Sequence, residues 1–159
     1  EDLGRAFYKA EEAAYSTLPT KGNILLTVGR GEDKGLFLPI AKGFVELGFK
    51  LFCTEGTHKF LQRHNIVNEL VPKIRDDPKI LHMMKNKEMD LVINIPKGSK
   101  LGSDGYKIRR AVVELNIPYI TTVAGSVASL KAIKSLVKGR ISINSLDGYY
   151  SAFKMKVGF

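Results

Sequence analysis

The sequence holds one cysteine, Cys53, so no disulfide can form within the chain, and the cysteine spacing that ligates a metal is missing. Cys53 lies between Phe52 and Thr54 in a strand-like run and reads as a core residue. Long apolar stretches are absent too. The longest, Asn23 to Val28 and Asp90 to Ile95, fall far short of the roughly 20 residues that cross a bilayer, and no signal peptide opens the chain. A soluble, cytoplasmic protein without a membrane partner is the expectation. Glycine, proline and serine are not in excess, which excludes compositional disorder. His58, His64 and His82 are scattered without metal-ligand spacing, so no metal site is expected. Acidic residues are scarce: 16 Asp and Glu face 25 Lys and Arg, a formal charge of +9. That excess concentrates phosphate-bearing ligands without naming the phosphate. The basic clusters interleaved with aromatics that mark a nucleic-acid surface are missing, and Lys131, Lys134 and Lys138 read as a solvated helix face, so no nucleic-acid partner is expected.

What is present is one domain's worth of chain, 159 residues with 44% hydrophobic content, enough for a single core. Asp2 to Tyr15 form an Ala- and Glu-rich helical stretch, followed by a breaker segment from Ser16 to Gly22. From there short β-branched or apolar runs alternate with segments of helical spacing, which is how a parallel α/β sheet reads. Strands are expected at Ile24 to Val28, Phe49 to Thr54, Glu69 to Val71, Leu91 to Ile95 and Tyr119 to Thr122. The intervening helices carry Phe37, Ile40, Ala41 and Phe44, then Phe60 and Leu61, then Ile80, Leu81 and Met84, then Ile108, Ala111, Val112 and Leu115. The first of these is expected to close at Gly48. A last helix is expected from Ser126 to Val137, and a short strand at Arg140 to Asn144. The fold class is therefore α/β: a three-layer, Rossmann-like domain with a five-stranded, mostly parallel sheet. Right-handed crossovers would place helices on both faces.

In such sheets ligands bind at the carboxyl ends of the strands. Applied strand by strand, that rule collects a polar rim: Gly29 to Lys34, Thr54 to Thr57, Lys73, Asn94 with Lys97, Gly98, Ser99 and Lys100, and Thr121 with Thr122. Thr54-Glu55-Gly56-Thr57 falls where a strand turns into a helix, so free backbone N–H groups and the positive helix end sit beside two hydroxyls. This is either a phosphate cradle, with Gly56 admitting close approach and Lys34 and Lys73 adding charge, or a pair of threonines capping a helix.

The runs Lys50-Leu-Phe-Cys-Thr-Glu-Gly-Thr57, Met89-Asp-Leu-Val-Ile-Asn94, Ser103-Asp-Gly-Tyr-Lys-Ile-Arg-Arg110 and Asn116-Ile-Pro-Tyr-Ile-Thr-Thr122 resemble the methylglyoxal-synthase-like domain that ends carbamoyl-phosphate synthase large subunits. The lead-in Gly4-Arg-Ala-Phe-Tyr-Lys-Ala10 resembles the end of the preceding synthetase half. The resemblance implies a lead-in helix and linker over residues 1–22, the regulatory domain over 23–150 and a tail over 151–159. It also implies a non-catalytic, allosteric role within an ATP-dependent ligase that hydrolyses glutamine. The effector would be uridine or inosine monophosphate (UMP or IMP), with ornithine as a further one. Lys34, Thr54, Gly56, Thr57, Lys73 and Asn94 would line the nucleotide site, and Thr121 matches a position associated with ornithine. No cofactor is expected in this domain; ATP and a divalent metal belong to the parent enzyme, whose other parts, the preceding synthetase domain and a glutaminase small subunit, are the expected partners. Two places depart from the family: Ile95-Pro96 replaces a Thr-rich stretch, removing hydroxyl donors, and Val71-Pro72 replaces Val-Asn.

The enzymatic rival is methylglyoxal synthase, a lyase that removes phosphate from dihydroxyacetone phosphate with a carboxylate base. Its glycine-rich loop after the third strand resembles nothing in Pro72-Lys-Ile-Arg-Asp-Asp77, and Asp76 and Asp77 read as surface charges at a helix start. Arg109 and Arg110 are expected to hold a carboxylate from a neighbouring element as readily as a phosphate.

Overall fold

A computed structural model describes residues 17–97 and 103–138. The lead-in helix, the Arg140 to Asn144 strand, the tail, and Gly98, Ser99 and Lys100 of the rim lie outside the described residues. The first strand, β1 (Asn23–Val28), is buried from Ile24 onward. It is apolar apart from Asn23 and Thr27, because it is paired on both edges and covered on both faces. Its neighbours are β2 (Lys50–Thr54) and β4 (Leu91–Ile95), with Ile24 opposite both Leu51 and Leu91. The short strands β3 (Glu69–Val71) and β5 (Tyr119–Ile120) close the edges, giving the order β3-β2-β1-β4-β5 with every pairing parallel.

The helices are α1 (Gly31–Glu46), α2 (Glu55–Arg63), α3 (Lys79–Lys85), α4 (Asp104–Glu114) and α5 (Val123–Val137). Strand alternation sorts them into two layers. Ile24, Leu26 and Val28 join Phe37, Phe44, Leu61 and Ile133 in one cluster, so α1, α2 and α5 share a face. Leu25, Phe52 and Val92 join Ile80, Met84, Ile108 and Val112 in the other, so α3 and α4 cover the second. Phe44 and Phe49 meet edge to face with ring centroids 5.7 Å apart, a geometry that suits aromatic quadrupoles. Cys53 is fully buried, and burial pushes its thiol up from 9.0 to about 12.

The anticipated closure of α1 at Gly48 is found: that residue has φ +88°, a conformation that costs a side-chain-bearing residue roughly 1 kcal/mol or more. The fifth strand is shorter than its β-branched sequence suggests. It ends at Ile120, and α5 starts at Val123 rather than Ser126. The reason is capping: the Thr122 hydroxyl accepts from the Gly125 N–H at 3.0 Å, which commits that threonine to the helix.

The order 3-2-1-4-5 has one consequence that matters for ligands. From β1 the chain walks outward through β2 and β3, and the return to β4 and β5 walks the opposite way. Right-handed crossovers then leave β1 and β4 toward opposite faces, and a crevice opens between their carboxyl ends. Gly29 holds that crevice together from below, donating its N–H to the Ile95 carbonyl at 2.8 Å. A Cβ on Gly29 would stand 2.7 Å from the Lys97 backbone nitrogen. Because the obstacle is backbone, Gly29→Ala is expected to destabilise the fold by about 1–3 kcal/mol, read as a lower urea midpoint at unchanged slope.

Candidate functional site

A cleft of about 810 Å³ occupies this crevice. Its floor is made by the two central strands. Thr27 and Asn94 are register partners, are 8% and 3% exposed, and are joined by a 2.7 Å bond in which the Thr27 hydroxyl donates to the Asn94 side-chain oxygen. The Asn94 amide donates in turn to the Tyr119 hydroxyl at 3.0 Å and to the Gly105 carbonyl at 3.3 Å. An asparagine amide has two N–H groups, so both of its donors are used inside the protein. Asn94 therefore fixes the start of α4 against β4 as much as it lines a site.

One wall comes from β2 and the loop after β3, through Thr54, Lys73 and Arg75; the other comes from the loop after β4 and the first turn of α4, through Lys97, Ser103, Asp104 and Lys107. The two walls begin differently. Ser103 caps α4 by accepting from the Tyr106 N–H at 3.3 Å. Thr54 is the cap residue of α2, with extended backbone, yet its hydroxyl makes no capping bond. Of the two sequence readings for that threonine, simple capping is the one the geometry does not provide. Positive charge gathers at the same place: Lys59, bonded to Glu55 at 2.7 Å, holds that carboxyl below its ordinary value, and the nearby Lys73 ammonium lowers it further.

The remaining sequence-predicted residues do not line the cleft. Thr57 is 2% exposed, and its hydroxyl accepts from the Val28 N–H at 3.0 Å, tying the first turn of α2 to the end of β1. Lys34 donates to the Gly56 carbonyl at 2.9 Å, tying α1 to the same turn. Thr121 is exposed at the end of β5 and is not brought to the cleft. Arg110 pairs with Glu114 of its own helix at 2.7 Å, so its carboxylate comes from one turn onward and not from a neighbouring element.

Sequence reasoning missed Thr27, Arg75 and Lys107. Thr27 was findable, being the one polar residue inside an apolar strand, at the same distance from its carboxyl end as Asn94. Lys107 lies three residues into α4, and only the placement of that helix beside β4 brings it to the cleft. Among the described residues no group of His, Cys, Asp or Glu has metal-ligating geometry.

Thr57 separates a structural from a ligand-binding role by stability alone. Thr57→Ala is expected to cost about 1–3 kcal/mol, because it strands the buried Val28 N–H, whereas Thr57→Ser keeps the acceptor and should cost less than about 1 kcal/mol. Thermal melts of the two variants check this.

The MGS-like domain family matches residues 36–121. The chain is 46% identical over 149 residues to the carbamoyl phosphate synthase large chain, C-terminal section, of Methanocaldococcus jannaschii, covering 92% of this chain and 24% of that protein. It is 41% identical over 157 residues to the corresponding section from Aquifex aeolicus, covering 95% and 29%, and 42% identical over 151 residues to the large chain of Methanocorpusculum labreanum, covering 94% and 14%. The chain thus spans less than a third of the length of these relatives. Among solved structures, methylglyoxal synthase from Elizabethkingia anophelis NUHP1 superposes with a TM-score of 0.58 at 17% identity, over 84% of this chain and 92% of that one, which shows a shared fold. With its family match spanning more than half its length, the chain belongs to the MGS-like domain family, as its own motifs imply.

Proposed function

We propose that this domain is the allosteric section of a carbamoyl phosphate synthase large chain and that its cleft takes a nucleoside monophosphate, UMP or IMP. The observation that carries the reading is the start of α2: Thr54 borders the cleft beside Lys73, and its hydroxyl makes no capping bond. Orphan amides at a helix N-terminus, a hydroxyl not engaged in capping and an ammonium group together suit a phosphate. Lys34 and Thr57 support this cradle from behind by holding its backbone. The similarity to carbamoyl phosphate synthase large chains over more than nine-tenths of the sequence supports this reading, under which the cradle would belong to a cytoplasmic ligase of arginine and pyrimidine biosynthesis.

Regulation follows from differential affinity. A nucleotide that draws Lys73 inward orders the loop after β3, and stabilises whichever docking with the synthetase domain presents that loop in that arrangement. Ornithine, at the exposed Thr121, would act beside the cleft and outside its lining. The glutaminase small subunit and the ATP and metal sites belong to other parts of the assembly.

The lyase alternative needs a carboxylate at the reacting carbon. Asp76 and Asp77, in the loop that replaces the lyase's glycine-rich segment, do not line the cleft, and Asp77 accepts from the Lys79 N–H at 2.8 Å. Only Asp104 faces the cavity among the described residues. A colorimetric assay should therefore find no methylglyoxal formed from dihydroxyacetone phosphate.

Calorimetric titration with UMP and IMP tests the binding directly. At least one nucleotide should bind, and Thr54→Val and Lys73→Ala should each weaken it about tenfold or more, since a hydrogen bond to a charged group contributes about 1.5–3 kcal/mol. Absence of heat with both nucleotides, or full affinity in both variants, would refute the assignment.

A further inference from the structure

The cleft presents more positive charge than one phosphate group can reach. Lys73 and Arg75 lie on one wall and Lys97 and Lys107 on the other, against a single carboxylate, Asp104. Asp104 sits in the first turn of α4, where the helix end already favours a negative charge. Arg75 has Asp76 at 3.6 Å, whereas Lys97 and Lys107 form no ion pair among the described residues.

Topology keeps the two basic walls apart. Lys73 and Arg75 follow β3 at the sheet edge, and Lys97 follows β4, three strand positions away. At about 4.8 Å per strand the two strand ends are separated by roughly 14 Å. A phosphate seated beside Thr54 and Lys73 leaves the α4 wall unneutralised, and like charges facing a partly enclosed cleft repel until a ligand supplies anions. The floor points the same way. Both Asn94 donors are taken by Tyr119 and Gly105, and the Thr27 hydrogen by Asn94, so the floor has little to offer the edge of a base.

Resting on the mononucleotide reading, we infer that the ligand this cleft prefers carries a second phosphate group, seated against Lys97 and Lys107 while the first occupies the α2 cradle. The second group is either contiguous, as in a nucleoside diphosphate, or carried separately on the sugar.

The test is calorimetric titration of the full chain in magnesium-free, low-salt buffer with uridine 5′-monophosphate, uridine 5′-diphosphate and uridine 3′,5′-bisphosphate. One of the two doubly phosphorylated ligands should bind about tenfold or more tightly than the monophosphate, as expected for one added charge-assisted contact; which of them wins tells a contiguous from a separate second group. Lys107→Ala should remove most of that gain, weakening the doubly phosphorylated ligand at least severalfold more than the monophosphate. Lys107 is exposed on α4, and Lys107→Gln, which keeps the aliphatic stem, should behave the same way. Equal affinity for all three ligands, or a Lys107→Ala loss shared equally by the monophosphate, overturns the inference and leaves the mononucleotide reading standing. If none of the three binds, both fall together.

Discussion

The parallel pairing of β1 with β4 is the constraint on which the rest of the molecule depends. It is where the direction of strand addition reverses, so the helices that follow the two strands depart to opposite faces and their carboxyl ends are left uncovered. Backbone groups at those ends would be exposed to a crevice, and the protein meets them locally. Gly29 bonds to Ile95, Thr57 reaches the Val28 N–H, and the Thr27–Asn94 bond fills the floor. Thr27, Thr57 and Asn94 are buried and satisfied, which is the condition for keeping polar side chains in an otherwise apolar strand pair. No buried side-chain nitrogen or oxygen among the described residues lacks a partner. The crevice is thus a built feature whose floor is buried and hydrogen-bonded and whose walls carry cations, Arg75, Lys97 and Lys107 exposed and Lys73 half-buried.

That division of labour explains how much of the protein is legible in its sequence. The strands are legible because each is a short apolar run bounded by turn residues, and the order of runs with intervening helical periodicity admits a parallel sheet. The end of β5 is less so: Thr121 and Thr122 have β-branched side chains that favour a strand, but a threonine hydroxyl also caps a helix, and in Thr122 the cap wins. The site divides in the same way. Thr54, Lys73 and Asn94 are found where the carboxyl-end rule places them, lining the cleft. Lys34 and Thr57 are chemically apt for phosphate, yet their bonds run to Gly56 and Val28. Sequence reveals which residues gather at a rim, while the direction of a hydroxyl or an ammonium is set by which backbone group is left unpaired next to it.

The methylglyoxal synthase fold is shared at 17% identity, so the sheet tolerates wide change in its residues. In this chain the loops above the sheet line the cleft. After β3 a single turn closes, in which the Asp76 and Asp77 N–H groups both bond to the Lys73 carbonyl, at 2.9 and 3.0 Å. That turn presents Lys73 and Arg75 to the cleft and leaves both aspartates outside it. On the proposed reading, this loop offers the cleft cations for an anion and no carboxylate for proton abstraction.

The central claim, that an anionic nucleotide sits over the carboxyl ends of β1 and β2 against the start of α2, is tested most directly by amide chemical-shift mapping of the isotope-labelled chain during titration with UMP. The account predicts the largest shifts at the amides of Gly29, Glu55, Gly56 and Lys73, with Lys131 and Lys138 on the solvated face of α5 unmoved. Shifts concentrated on α5, or spread evenly over the basic surface, would contradict it.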